Sequence, residues 1–301
     1  MGAVSRTSMV PCVARPPQGA PTGHVASPLP SEEALAPTPA GTPSADDVPD
    51  GMSPVAPAQA GELLVVGTPI GNPDDISLRA LRVLREVDLI AAEDTRVTRR
   101  LLRHHGVTTP TTSYSQHSQG SKARYLADLL SKGMRIALVS DAGMPGIADP
   151  GHELVELALR AGVRVTPVPG PTAAIAAVAV SGLRPYRFAF DGFPPRQRKN
   201  RLEFFRRLTY EERTIILYES PRRVREALRD LLSVLGDRQA VLALELTKPS
   251  ERIQRGSLES LYAYATRHKI RGEAVIIVEG RDTNASPPEE VIWPIRSQPC
   301  P

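Results

Sequence analysis

From Glu62 to about Arg281 the chain alternates short apolar runs with stretches whose apolar residues recur every three or four positions. That alternation predicts strands separated by helices. Leu63-Leu-Val-Val66 reads as a buried strand, and Ser77 is placed to cap a helix carrying Leu78, Leu81 and Leu84. A strand over 88–92 follows, then a helix from Thr95 that Gly106 ends, then a short strand near 110–114. Strand 135–139 precedes a helix over 152–161 stopped by Gly162, and strand 163–168 leads into an alanine-rich helix over 172–181. Beyond Gly182-Leu-Arg-Pro-Tyr186, which reads as a hinge, the pattern predicts strands near 187–191, 214–218, 240–245 and 273–279. Helices are expected near 200–208, 222–234 and 257–267. Continuously apolar strands need helices over both faces of a mostly parallel sheet, so the fold class is α/β. Two α/β domains are expected, 61–182 and 187–281, each of ordinary domain size.

Composition limits where that pattern extends. Residues 1–60 hold 12 of the 30 prolines and show no such periodicity, as in Pro37-Thr-Pro-Ala-Gly-Thr-Pro43. Chain of this kind cannot bury enough apolar surface to offset its ordering entropy, so 1–60 is expected to be a disordered leader and 282–301 a similar tail. The leader sets two arginines against five carboxylates, a charge of −3, so with a net charge of +4 for the whole chain the remainder carries +7. A basic body is compatible with a polyanionic partner but is common among enzymes. The two cysteines, Cys12 and Cys300, lie in the tails and build neither a disulfide framework nor a metal cluster, which suits a reducing cytoplasm. The longest apolar run, Ala173 to Val180, is too short to span a bilayer, so no membrane partner is expected.

Candidate chemistry gathers in three loops that follow strands. Gly67-Thr-Pro-Ile-Gly-Asn72, Ser140-Asp-Ala-Gly-Met-Pro145 and Pro169-Gly-Pro-Thr-Ala173 each occupy the carboxyl end of a predicted strand. Ligands of open parallel sheets bind at that edge. Glycine lets a ligand approach the backbone and proline fixes a loop in advance. The helix opening at Thr172 is also expected to offer free N–H groups to an anion. Any one of these loops is more often a plain tight turn, but three on one sheet edge favour a site. No Gly-x-Gly-x-x-Gly or Gly-Lys-Ser/Thr loop is present, which disfavours nicotinamide dinucleotide and P-loop nucleotide sites.

Six motifs then occur in order: Thr68-Pro-Ile-Gly-Asn72, Ala92-Glu-Asp-Thr-Arg96, Ser140-Asp-Ala-Gly-Met-Pro145, Pro169-Gly-Pro-Thr-Ala173, Tyr218-Glu-Ser-Pro221 and Glu245-Leu-Thr-Lys248. Together they resemble the RNA-modifying branch of the tetrapyrrole methylase superfamily, over about 62–280. The resemblance implies an N-terminal mostly parallel sheet, a C-terminal mixed sheet, and S-adenosylmethionine in the cleft between them. It also implies a homodimer that 2′-O-methylates a cytidine in the decoding region of 16S rRNA, within the 30S subunit. Carried onto this chain, the cofactor-binding positions are Thr68, Pro69, Gly71, Asn72, Asp141, Ala142, Gly143, Pro145, Pro171, Thr172, Ala173, Tyr218, Glu219 and Ala274. Two departures stand out. Met144 occupies a position where the family has threonine, and Tyr114-Ser-Gln-His-Ser-Gln119 keeps His117 but has glutamine for its acidic partner.

Methyl transfer from a sulfonium needs mainly an aligned acceptor oxygen, helped by a base or by a cation on the developing alkoxide. The candidates are Glu93, Asp94, Glu245 and Lys248, with His117 behind them. Glu93 and Asp94 are equally placed to cap the following helix, and His104 and His105 read as the cationic end of that helix. Two basic segments suit RNA phosphates. Arg96, Arg99, Arg100 and Arg103 form one stripe at helical spacing, for which a solvated face is the ordinary reading. Arg196, Arg198, Lys199 and Arg201 form a denser cluster, expected to lie away from the three Gly/Pro loops. Other readings are methylation of a tetrapyrrole carbon or of diphthamide, and a non-catalytic, cofactor-sensing RNA-binding module. The cluster at 196–207 counts against the first two.

Overall fold

The computed structural model describes residues 61–116 and 119–282. The leader over 1–60, both cysteines, His117 and all of the C-terminal segment except Asp282 lie outside the described residues. Strands β1 (Glu62–Val66), β2 (Leu89–Ala92), β3 (Thr111–Ser113), β4 (Arg135–Val139) and β5 (Arg164–Val168) form one sheet. Its order is β3-β2-β4-β1-β5, and every pairing is parallel. Helices α1 (Leu78–Glu86), α2 (Thr95–His104), α3 (Gln119–Ser131) and α4 (His152–Arg160) connect these strands. Two separate apolar clusters, one around Leu64, Leu84 and Ile90 and one around Leu63, Leu126 and Leu154, fill the opposite faces of the sheet. This is the burial that continuously apolar strands demand. Pro167 is tolerated because β5 is an edge strand and needs no donor on its outer side.

Local signals place the helix ends as the chain chemistry requires. The Ser77 hydroxyl accepts from the Ala80 N–H at 3.1 Å and caps α1. Gly162 follows α4 with a φ of +70°, a conformation that carries no penalty without a Cβ. Helix α3 was not anticipated from sequence, although Ala123, Leu126 and Leu130 fall on one helical face and are all buried.

The second sheet runs β6-β7-β10-β8-β9, from β6 (Phe188–Phe190), β7 (Thr214–Glu219), β8 (Gln239–Leu244), β9 (Arg252–Ser257) and β10 (Ala274–Val278). Only β6 and β7 are parallel, so the sheet is mixed. Helices α6 (Arg198–Arg207), α7 (Val224–Leu235) and α8 (Leu258–Arg267) cover one face. The other face is covered by α5 (Ala173–Ser181), which precedes Gly182. Ala174, Ala177 and Val178 of α5 pack on Ile216, Val241, Val275 and Ile277. The chain therefore crosses to the second sheet's layer before the expected hinge, because the Ala174, Ala177 and Val178 face of α5 finds its apolar cover on that sheet. All described residues fall in one compact unit.

Candidate active site

The carboxyl ends of β1, β4 and β5 meet as expected, held together by backbone contacts. Gly67 and Gly170 touch: a Cβ on Gly67 would stand 2.6 Å from the Gly170 Cα, so neither tolerates a side chain. Thr68 and Gly143 exchange N–H···O bonds of 2.9 and 3.1 Å, and the buried Thr68 hydroxyl donates to the Ser140 carbonyl at 3.1 Å. The Thr68 hydroxyl thus fastens two loops to each other. Gly71 approaches the 245–248 loop so closely that a Cβ would meet the Leu246 carbonyl at 2.5 Å, and the Asn72 N–H donates to Thr247 Oγ1. These contacts bring the edges of the two sheets together.

Two hollows lie along this seam. One, of about 320 Å³, is mainly apolar and is lined by Ile70, Met144, Ala173, Phe193, Tyr218 and Val275, with Asp149, Glu219 and Glu273 among its polar groups. The other, of about 420 Å³, is more open and is lined by Thr68, Pro69, Gly71, Arg100, His104, Asp141, Lys248 and others. They share the wall formed by Ile70, Ala142 and Glu273. Of the sequence-predicted cofactor positions, Ala142, Gly143, Thr172, Ala173, Tyr218, Glu219 and Ala274 line the closed cavity. Thr68, Pro69, Gly71 and Asp141 line the open one. Asn72, Pro145 and Pro171 line neither; Asn72 instead caps the short 3₁₀ turn at Pro73–Asp75.

The start of α5 is not the open anion site expected from sequence. The Ala174 N–H donates to the Tyr218 hydroxyl at 3.1 Å, and the Ile175 N–H to the Thr172 hydroxyl at 3.3 Å. One donor is thus taken by a residue of the second sheet and another by the helix's own cap residue.

The candidate acid–base residues divide by their partners. Asp94 caps α2 through the Arg96 N–H and pairs with the Arg96 guanidinium at 2.6 Å, which holds its carboxyl well below the usual range. Glu245 accepts from Lys248 at 2.8 Å and from the Glu273 N–H at 3.0 Å, so it clasps the turn before β10. The Lys248 bond depresses its pKa first of all. Gly272 is required beneath that clasp, since a Cβ there would overlap the Glu245 carboxyl. Glu93 accepts from the Asp141 N–H at 3.2 Å, and Asp141 accepts from the Asp94 N–H at 3.1 Å. Burial raises both pKa values. Lys248 lines the open hollow together with Arg100, and is tethered to Glu245 and 3.5 Å from Glu273.

Sequence reasoning passed over Asp149 and Glu273. Asp149 stands in the closed cavity, and burial, with Glu93 as the next cause, pushes its pKa up to about 7. The clue was available in Ala148-Asp-Pro150, an acidic residue fixed before proline near the end of a strand–loop–helix connection.

The basic segments also separate. Arg201 is buried at 1% exposure, with Nη2 2.7 Å from the fully buried Asp230, and is therefore unavailable to RNA. Its role is to tie α6 to α7. Arg196, Arg198 and Lys199 are exposed, with Arg198 reaching Asp230 at 3.3 Å. No residue of this cluster lines either hollow. Phe193, three residues before Arg196, lines the closed cavity and packs edge-on against Tyr218 with ring centroids 5.6 Å apart. On α2, Arg96, Arg99 and Arg103 flank a groove with Thr108–Thr111, whereas Arg100 lines the open hollow. Among the described residues no group of three or more His, Cys, Asp or Glu is arranged to hold a metal, and no helix is long and apolar enough to cross a membrane.

Two α/β layers joined over a cavity of glycine- and proline-rich loops are the architecture of a class of methylases, and comparison with known proteins agrees. A family model described as Tetrapyrrole (Corrin/Porphyrin) Methylases matches residues 62–262. The chain belongs to this family, and its methyl donor is S-adenosylmethionine. It is 46% identical over 233 residues to ribosomal RNA small subunit methyltransferase I of Halalkalibacterium halodurans, covering 77% of this chain and 80% of that one. It is 44% identical to the protein of that name from Thermotoga maritima, covering 74% of this chain and all of the relative. Among solved structures it resembles a cobalt precorrin-4 methyltransferase (TM-score 0.55, 22% identity, 72% of this chain and 94% of that one). It also resembles a diphthine synthase (TM-score 0.54, 17% identity, 73% of this chain and 90% of that one). Those two likenesses show the fold.

The closed cavity fits this donor. Its apolar walls suit an adenine ring, and the acidic groups around it suit a sulfonium and an ammonium. Glu219 is buried in its wall with Oε1 held by the Ser220 N–H and Arg223, while Oε2 has no partner. A buried oxygen without a protein partner is a place where a ligand donor is stabilised.

Proposed function

We propose that this protein transfers a methyl group from S-adenosylmethionine to a ribose 2′-hydroxyl of small-subunit ribosomal RNA, at a cytidine of the decoding region in the 30S subunit. It acts as a homodimer in the cytoplasm. The observation that carries this reading is the pairing of a mainly apolar cavity with a somewhat more open, cation-bearing hollow across one shared wall of Ile70, Ala142 and Glu273. The similarity to ribosomal RNA small subunit methyltransferase I supports RNA as the acceptor.

The bound donor supplies an activated methyl group on a sulfonium. The protein's contribution is to hold the acceptor oxygen in line, which converts an encounter between two molecules into a positioned step. Ile70 and Ala142, between the two hollows, set the distance. Lys248, fixed by Glu245, presents a cation to the developing alkoxide. Glu93, whose pKa is raised by burial, accepts from the Asp141 N–H behind the wall of the open hollow and takes the part of the base in this reading. Arg100 and His104 line the open hollow, and Arg96, Arg99, Arg103, Arg196, Arg198 and Lys199 add phosphate contacts around it.

The test is incubation with labelled S-adenosylmethionine and 30S subunits from a strain lacking the modification, followed by digestion to nucleosides. Label in 2′-O-methylcytidine is expected. Label on a base would overturn the proposed acceptor. Binding of donor and subunits without transfer would leave an RNA-binding module.

A further inference from the structure

Asp149 has no place in the transfer chemistry above, yet the fold constrains it heavily. It sits between Ala148, whose φ is +62°, and Pro150, in a loop where Gly146 and Gly151 also adopt positive φ. Gly151 packs so tightly that a Cβ would lie 2.9 Å from the Gly146 nitrogen. A left-handed alanine carries a conformational cost that the surrounding structure must offset. The loop presents Ile147 and one carboxyl group, that of Asp149, to this cavity.

Like charges face that carboxyl from several elements. Glu93 at the end of β2, Asp141 at the end of β4 and Glu273 ahead of β10 all raise its proton affinity, while Ser140 opposes them. The Tyr218 hydroxyl, from β7, senses Asp149 in turn. The cation on this side of the cleft, Lys248, is already held by Glu245 and Glu273. A second observation points to a ligand: the unpartnered Oε2 of Glu219, a side chain 2% exposed in the wall of the same cavity. Glu219 is paired with Arg223 at 2.6 Å through its other oxygen, whereas Asp149 pairs with no cation among the described residues.

We infer that Asp149 selects the charge of the ligand in this cavity: it keeps its proton in the free protein and releases it to solvent when a sulfonium enters, so the methyl donor is held more tightly than the neutral thioether product. This rests on reading the closed cavity as the donor's site. The proton leaves the Asp149 carboxyl for the buffer and the carboxylate faces the sulfonium, so charge balances without another reactant. After transfer the sulfur is neutral, Asp149 recovers a proton, and the product loses the attraction that held the donor.

Calorimetry near pH 6.5 in buffers of different ionisation enthalpy tests this, with S-adenosylmethionine and S-adenosylhomocysteine as ligands. Donor binding is expected to release a proton fraction that thioether binding does not. Donor affinity should fall about fivefold between pH 7.5 and pH 6 while thioether affinity changes less than about twofold. Asp149→Asn should abolish the difference in proton release and bring the two affinities closer together. Glu273→Gln, which keeps Asp149 but removes a charge facing it, should shrink the proton release without abolishing it. Equal proton release for both ligands, or an unchanged affinity ratio in a folded Asp149→Asn variant, overturns the inference while leaving the cavity assignment intact. Failure of the parent protein to bind either ligand overturns both.

Discussion

The segments 96–103 on α2 and 196–201 leading into α6 carry the same signal in sequence, four basic residues within eight or six positions, and the fold treats them differently. On α2 all four arginines are exposed, and Arg96 is 87% exposed beside the Asp94 it pairs with. On α6 the fourth basic residue, Arg201, turns inward to Asp230, which is 0% exposed. Arg201, Phe205 and Leu208 stand at i, i+4 and i+7, and all three are buried. Asp230 lies on the buried face of α7 among Ala227, Leu228 and Leu231. A basic run thus divides according to which residues share a face with the core. An exposed pair contributes little, since water and salt already stabilise both charges. A buried charge without its partner is costly, because nothing replaces its hydration.

The largest effect should come from breaking the buried pair. Arg201→Ala is expected to cost about 3–5 kcal/mol of unfolding free energy in a urea titration. Arg198 and Arg229, at 3.3 and 3.1 Å from Asp230, favour the lower end. A loss under about 1 kcal/mol would mean that the two helices are held by their apolar contacts alone.

Exposed positions should instead appear in RNA binding. Arg196→Ala with Lys199→Ala should lower the salt dependence of 30S binding by about two units of slope, since each lost phosphate contact removes about one. Arg99→Ala with Arg103→Ala makes the matching change on α2. If only one pair moves the slope, the phosphate path runs along that helix.

The contrast extends to pH. Burial alone would raise the Asp230 carboxyl, but hydrogen bonds from Arg201, Arg229 and Arg198 hold it below its ordinary value. Its contribution is present above the unfolded pKa of 3.8 and is lost as pH falls through the lower folded value. Asp149 has the opposite sign. The folded protein retains a proton that the unfolded chain has released, so stability declines from about pH 4 and levels off above about 7. Asp149→Asn should match the parent near pH 4 and exceed it increasingly up to pH 7 in thermal melts. Parallel curves would place Asp149 in water rather than among its acidic neighbours.

The smallest effect is expected at Arg96. Replacing it with alanine should change unfolding free energy by less than about 1 kcal/mol, because the ion pair is exposed. The Asp94 cap on the Arg96 N–H uses backbone and survives the change.

Much of this molecule was legible in one dimension. Buried strands announced themselves as apolar runs, and Ser77, Gly106, Gly162 and Gly182 marked helix ends through capping and positive φ. Strand β9 escaped because Arg252-Ile-Gln-Arg-Gly-Ser257 lies at a sheet edge, pairs on one side and leaves no alternating apolar pattern. The Gly/Pro loops were visible because close backbone approach restricts residue choice, and a restriction on residue choice is what a sequence records.

What the sequence by itself determined was therefore local: the strand–helix alternation, the tight turns and the loops that meet at one sheet edge. Only the tertiary structure decided which charges are solvated. It buried Arg201, used the Ala174 N–H of α5 through Tyr218, engaged Glu245 in a clasp and gathered Glu93, Asp141, Asp149 and Glu273 about one seam. The reason is physical. Helix and turn formation depend on neighbours within a few residues, whereas the energy of a charge depends on the water and partners around it, and these come from segments up to 180 residues apart here, as Glu93 and Glu273 are.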